Sequence, residues 1–141
     1  MDLSDDAIGY LLSRAYFLHK KKATHLLEGF GITPEQYGIL HQLNKQEGIT
    51  QKALAELHGK DQTSIGKTLE RLENKKLVIR KTDQVDRRAI LLYLSSEGKA
   101  LYGKTLPVMQ GLNGDLVNLI TPEGNDQLTA LLRKLNQALN S

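Results

Sequence analysis

The sequence predicts a mainly α-helical chain with one small β-hairpin, and three observations support that class. Apolar residues recur at helical spacing in most segments of the 141 residues. One strong period-two run departs from that pattern: Ile90, Leu92 and Leu94 alternate with Ala89, Leu91 and Tyr93, after an outgoing segment at 78–81 and a polar tip at 82–88. Immediately before it, two short helical stretches flank a Gly-containing turn at 59–60. Helix, turn, helix and basic-tipped hairpin thus follow one another over residues 51–94, the arrangement of a winged helix-turn-helix.

The elements can be justified in order. A first helix is expected over 5–30, with Ile8, Leu11, Leu12, Ala15, Phe17, Leu18 and Leu26 on a broad apolar face and Lys20-Lys21-Lys22 outside. Gly29-Phe30-Gly31 ends it, because Gly accepts the left-handed cap conformation. Thr33, Pro34 and Gln36 announce the second helix as N-cap, first-turn proline and capping-box partner. Tyr37, Ile39, Leu40 and Leu43 form its buried side. Thr50 caps a short helix over 51–58 that buries Leu54, Ala55 and Leu57. Asp61 caps the next, in which Ile65, Leu69 and Leu72 make one apolar stripe. Asn74-Lys75-Lys76 ends that helix with cations where the macrodipole favours them. Gly66 is unusual in its middle, costing about 1 kcal/mol relative to Ala; it either admits a close approach to the backbone or is a tolerated loss.

Beyond the hairpin, Ser95 or Ser96 caps a long helix to about residue 119, which Pro107 should kink or interrupt near Leu106. Thr121-Pro122-Glu123 opens the last helix. Leu128, Leu132, Leu135 and Leu139 recur in it at near-heptad spacing, beside Leu131. So narrow a leucine stripe suggests a helix partner from a second copy; docking on its own core is the alternative.

Composition excludes several classes. A hydrophobic fraction of 40% and a charged fraction of 25% are ordinary for soluble globular chains, and the length suits one compact protomer. No apolar run approaches the roughly 18 residues of a membrane span. The opening Met1-Asp2-Leu3-Ser4-Asp5-Asp6 is acidic where a signal peptide is basic, so a cytoplasmic location is expected. With no cysteine, disulfides, thiol redox chemistry and thiolate metal sites are excluded. His19, His25, His41 and His58 show no metal-binding spacing, and no metal or other cofactor is expected. Neither a nucleophile–base arrangement nor a glycine-rich phosphate loop stands out, so the chain reads as a non-enzyme.

Charge is more informative than its total of +3. Residues 60–90 hold nine Lys or Arg against five Asp or Glu, a net +4, while 1–59 carry −1 and 91–141 carry 0. The excess sits on the second short helix and the hairpin. Gln62, Thr63, Ser64, Lys67 and Arg71 lie opposite the apolar stripe, and these residue types hydrogen-bond base edges and phosphates. A merely solvated surface helix is the alternative reading of the same charge.

The layout resembles the MarR (multiple antibiotic resistance regulator) family of bacterial transcription factors over essentially the whole chain. Three stretches carry the resemblance: Gly31-Ile32-Thr33-Pro34-Glu35-Gln36-Tyr37, Asp61-Gln62-Thr63-Ser64 through Leu69-Glu70-Arg71-Leu72, and Asp86-Arg87-Arg88 followed by an apolar strand and Leu94-Ser95-Ser96-Glu97-Gly98. It implies a single protomer over 1–141, with a DNA-binding lobe at 33–95 and dimerisation helices at 1–30 and 96–141. It also implies a homodimer acting on an inverted repeat in double-stranded DNA, as a repressor. Gln62, Thr63, Ser64 and Lys67 would face the major groove, with Arg71 on the same face. Arg88 would be the wing arginine, Asp86 its brace or that of the tip, and Arg87 a contact to phosphate or the minor groove. A small phenolic or aromatic acid would release the DNA, with Arg14 pairing its carboxylate and Tyr10, Phe17, Tyr37 and His41 lining an aromatic-tolerant cleft. These five are otherwise ordinary core or interface residues. The reading of another class is a winged-helix module for protein–protein assembly without DNA binding, which would favour an apolar patch where this helix is polar.

Overall fold

The structure, a computed structural model, describes residues 7–140. Asp5 and Asp6, expected to open the first helix, lie outside the described residues. The chain forms two compact units, one ending at Leu106 and one beginning at Pro107.

In the first unit α1 spans Ile8–Leu27, and Glu28–Phe30 then tightens into a 3-10 turn closed by Gly31 at φ 73°. The first helix is therefore shorter than expected. Its expected apolar face is also largely uncovered: Ile8, Leu11, Leu12, Phe17 and Leu18 are exposed, while Ala23 and Leu27 are buried. α2 (Pro34–Lys45) starts with the full capping box: the Thr33 hydroxyl accepts from the Gln36 amide at 3.1 Å, and the Gln36 side chain accepts from the Thr33 amide at 3.2 Å. Ile39, Leu40 and Leu43 are its buried apolar residues, with Tyr37 half-buried.

Ile49–Thr50 is a short strand, β1, absent from the sequence expectation. The Thr50 side chain also caps α3 (Gln51–Leu57). Leu54 and Ala55 are buried as expected, but Leu57 is 61% exposed. Seven residues make barely two turns, and Leu57 is the last of them, next to the C-cap at His58. Asp61 caps α4 (Gln62–Asn74), its carboxylate accepting from the Ser64 amide at 2.8 Å. Ile65, Leu69 and Leu72 are all buried.

α4 ends in a paired hydrogen-bond motif. The Leu77 amide donates to the Leu72 carbonyl at 2.9 Å and the Lys76 amide to that of Glu73 at 2.9 Å, with Lys76 held at φ 63°. β2 (Val78–Thr82) and β3 (Ile90–Leu94) form the hairpin, and β1 adds to the far side of β3, giving the antiparallel order β1-β3-β2. The Ser95 hydroxyl then accepts from the Gly98 amide at the start of α5 (Ser96–Ile120).

α5 is one helix through Pro107, so of the two expected effects, a kink or an interruption, the interruption is absent. Proline removes one hydrogen bond and strains the preceding turn, about 3 kcal/mol. In the second unit Thr121 caps α6 (Pro122–Leu139), accepting from the Gly124 amide at 3.1 Å. Leu128, Leu131 and Leu139 are exposed, and Leu132 and Leu135 are partly covered.

Candidate nucleic-acid interface

α4 is anchored by its apolar stripe and presents the rest to solvent. Gln62, Thr63, Ser64, Lys67 and Arg71 are all exposed. Capping by Asp61 fixes where the first turn begins, and so fixes the direction of the three polar side chains at 62–64. Gly66 does not sit on this outer face. A methyl group there would lie 3.2 Å from the Gln51 amide nitrogen, so the glycine admits the side chain of α3. Gln51 in turn donates to the Gln62 carbonyl at 3.4 Å, tying the starts of the two helices together.

The wing tip is held by short-range hydrogen bonds from two aspartates. The Asp83 carboxylate accepts from the Val85 amide at 3.0 Å. One oxygen of Asp86 accepts from both the Arg88 amide at 3.1 Å and the Arg88 Nε at 3.2 Å. The Asp83 amide and the Ala89 carbonyl close the loop at 3.0 Å. Asp86 thus points Arg88 while leaving its terminal nitrogens in solvent, where the side chain is 93% exposed. Arg87 is exposed beside it. Lys81 lies over the Tyr93 ring at 5.2 Å, which directs one further cation of the wing.

Wing and helix face one space. A groove of about 490 Å³ is bordered by Gln51 and Lys52 at the start of α3, Gln62 at the start of α4, and Asp86 and Arg88 on the wing. Gln51 and Lys52 were not among the sequence candidates. Their position in the turn after the Thr50 cap was the available signal, since the start of the first helix faces the same way as the start of the second.

The proposed ligand residues separate into two places. Tyr10, Arg14 and Phe17 border an open hollow with Ser13 on α1. Tyr37 and His41 stack instead with Tyr102 of α5, and His41 Nδ1 shares a 2.7 Å hydrogen bond with the Tyr102 hydroxyl. Burial raises the pKa of Tyr37, with a further contribution from Tyr102, and burial raises that of Tyr102, so both phenols stay protonated at neutral pH. Among the described residues no His, Asp and Glu side chains converge to hold a metal ion, and no helix is long and apolar enough to cross a membrane.

Comparison with known proteins agrees with this geometry. The family model described as MarR family matches residues 30–89. The transcriptional regulator HosA of Escherichia coli O157:H7 is 26% identical over 104 residues, 74% of this chain and 77% of that protein. The structure of S. aureus MepR in a complex with DNA superimposes with a TM-score of 0.88 at 30% identity, covering 94% of this chain and 98% of that one. Bordetella bronchiseptica BpsR, whose DNA binding is regulated by 6-hydroxynicotinic acid, does so with a TM-score of 0.85 at 26% identity, covering 92% and 93%. The chain belongs to the MarR family of transcriptional regulators.

Proposed function

We propose that the protein is a homodimeric, sequence-specific repressor that binds an inverted repeat in double-stranded DNA and lets go when a small acid binds. The observation that carries this is the shared groove: the polar start of α4 and the braced Arg88 of the wing border the same space. With α4 in a major groove, Gln62, Thr63, Ser64 and Lys67 read base edges, and Arg71 and Arg87 hold phosphates. Arg88 reaches the adjacent minor groove, positioned by Asp86. The lobe at 33–95 does the binding, while 1–30 and 96–141 join two copies. The uncovered apolar residues of α1 and α6 are the surfaces a second copy would bury. The reading includes no catalytic step and places the protein in the cytoplasm with its DNA. An assembly module is not favoured, because the outer face of α4 is polar where a protein partner would want apolar area.

Fluorescence anisotropy tests this reading, with duplexes from the upstream region of the protein's own coding sequence and a scrambled duplex, each at two salt concentrations. Wild type is expected to prefer the upstream duplex and to weaken as salt rises. Arg88→Ala should lose roughly 1–3 kcal/mol of that binding. Equal, weak binding to both duplexes, unchanged in Arg88→Ala, would count against it.

A further inference from the structure

A buried polar atom without a hydrogen-bond partner lies beside the candidate interface. It is the side-chain amide oxygen, Oε1, of Gln51, the first residue of α3. Buried acceptors are nearly always hydrogen-bonded, so an orphan calls for a physical reason. The other end of the same amide provides one. Gln51 Nε2 donates to the Gln62 carbonyl at 3.4 Å, and a carbonyl oxygen can only accept. The amide must therefore turn its nitrogen to Gln62, which leaves its oxygen where no donor among the described residues reaches. The amide also has little freedom to move. Its bond to Gln62 is already long for an N–H···O contact, and a methyl group at Gly66 would stand 3.2 Å from the same nitrogen. Gln51 and Gln62 border the groove that Arg88 borders from the wing, and the Gln62 side chain is exposed.

We propose that Gln51 is the positioning residue for base reading by Gln62, and that its orphaned oxygen gains a donor only when Gln62 sits on an adenine. A glutamine that pairs bidentately with adenine accepts from N6 through Oε1 and donates to N7 through Nε2. Nε2 carries two hydrogens, so one is left over. That second hydrogen is the donor that Gln51 Oε1 lacks. Gln51, Gln62 and adenine then satisfy one another's amide groups in a single chain of hydrogen bonds. Guanine presents only acceptors along the same edge, at N7 and O6, and competes with Gln51 for the Nε2 hydrogens. Gly66 makes the arrangement possible, because any side chain there displaces the Gln51 amide. The inference rests on the placement of α4 in a major groove, and it adds to that reading the device that selects one base.

A pool of randomised duplexes is selected on the full-length protein, and the preferred duplex is then assayed by anisotropy in single-base-pair variants. The pair at which Gln62→Ala loses its preference is the pair that Gln62 reads. There wild type is expected to favour adenine roughly tenfold. Gln51→Ala should cut that preference about fivefold, the effect of one hydrogen bond, and leave the preferences at the other pairs in place. Gly66→Ala should lower the same preference while raising the denaturant midpoint. It improves helix propensity, and the amide it displaces is the free end of a flexible side chain. With Gln51→Ala already in place, Gly66→Ala should change the preference no further. A purely structural role would instead make specificity follow stability. Full adenine preference in Gln51→Ala, a Gly66→Ala protein both more stable and fully selective, or a base other than adenine at the pair that Gln62 reads would each overturn the proposal while leaving the protein a selective DNA binder. A selective wild type whose Gln62→Ala loses no preference would remove Gln62 from base reading, and Gln51 with it. A wild type that selects no sequence at all would sink the function reading itself.

Discussion

At Lys76 the backbone does what a glycine usually does. Its φ of 63° is left-handed, and the two hydrogen bonds ending α4 impose it. A non-glycine residue there costs about 1–2 kcal/mol. Lys76→Gly should therefore stabilise the protein by about 1 kcal/mol, read as a higher denaturant midpoint with an unchanged slope; a loss of stability would mean the lysine side chain matters more than its backbone. Its neighbour Lys75 reaches back to the Gly31 carbonyl at 2.6 Å and the Gln36 side chain at 3.1 Å, fastening the end of α4 to the start of α2. His58 makes a pH prediction at the same scale. Its folded pKa lies below the ordinary value of 6.5, so as pH falls through that value the unfolded chain takes up a proton sooner than the folded one. Stability due to His58 is complete above 6.5 and declines as pH drops toward its folded pKa. Melting curves between about pH 7 and 5 should show His58→Gln losing less stability than wild type.

Among the elements, the junction of hairpin and α5 is the tightest. A methyl group on Gly98 would meet the Leu77 carbonyl oxygen far inside van der Waals contact. That carbonyl already accepts from the Ser95 amide at 3.0 Å, and the Ser95 hydroxyl donates to the Lys76 carbonyl at 2.6 Å. Gly98→Ala must push the start of β2 away from α5, despite its better helix propensity, and should destabilise by about 1–3 kcal/mol in urea. A neutral or stabilising result would show that the junction relaxes freely. These elements also show what the sequence made legible. Caps at Thr33, Thr50 and Asp61 are local hydrogen-bond chemistry, and each is where the residue order predicts. The stripe of Ile65, Leu69 and Leu72, which orients the candidate site, is likewise readable from spacing. β1 was not, because two residues cannot display a period and its existence depends on pairing with Leu92 and Leu91, more than forty residues away. The role of Gly66 was hidden for a similar reason: its neighbour is Gln51 on another helix. Equally, spacing identified the apolar residues of α1 but carried no information on what covers them.

For the whole molecule, two-fold symmetry makes the proposed function quantitatively testable. In a symmetric dimer on an inverted repeat, every substitution occurs twice at equivalent positions. Each phosphate neutralised contributes about 0.9 to the slope of log affinity against log salt. Arg87 is exposed on the wing tip, so Arg87→Ala should leave stability within about 0.5 kcal/mol. If it holds one phosphate per protomer, the slope should become shallower by roughly 1.8, whereas a single bound protomer would give about 0.9. The same symmetry requires both half-sites to lie on one side of the duplex, about one helical turn apart. Inserting roughly half a turn between them should abolish dimer binding, while a full turn should weaken it less if the dimer can adjust. Leu131→Asp on α6 completes the argument, because it places a charge on a leucine that is exposed in the protomer. Sedimentation equilibrium should then report monomers, and the salt slope should fall to about half that of wild type. A variant that stays dimeric and keeps the full slope would remove α6 from the interface and leave α1 to supply it.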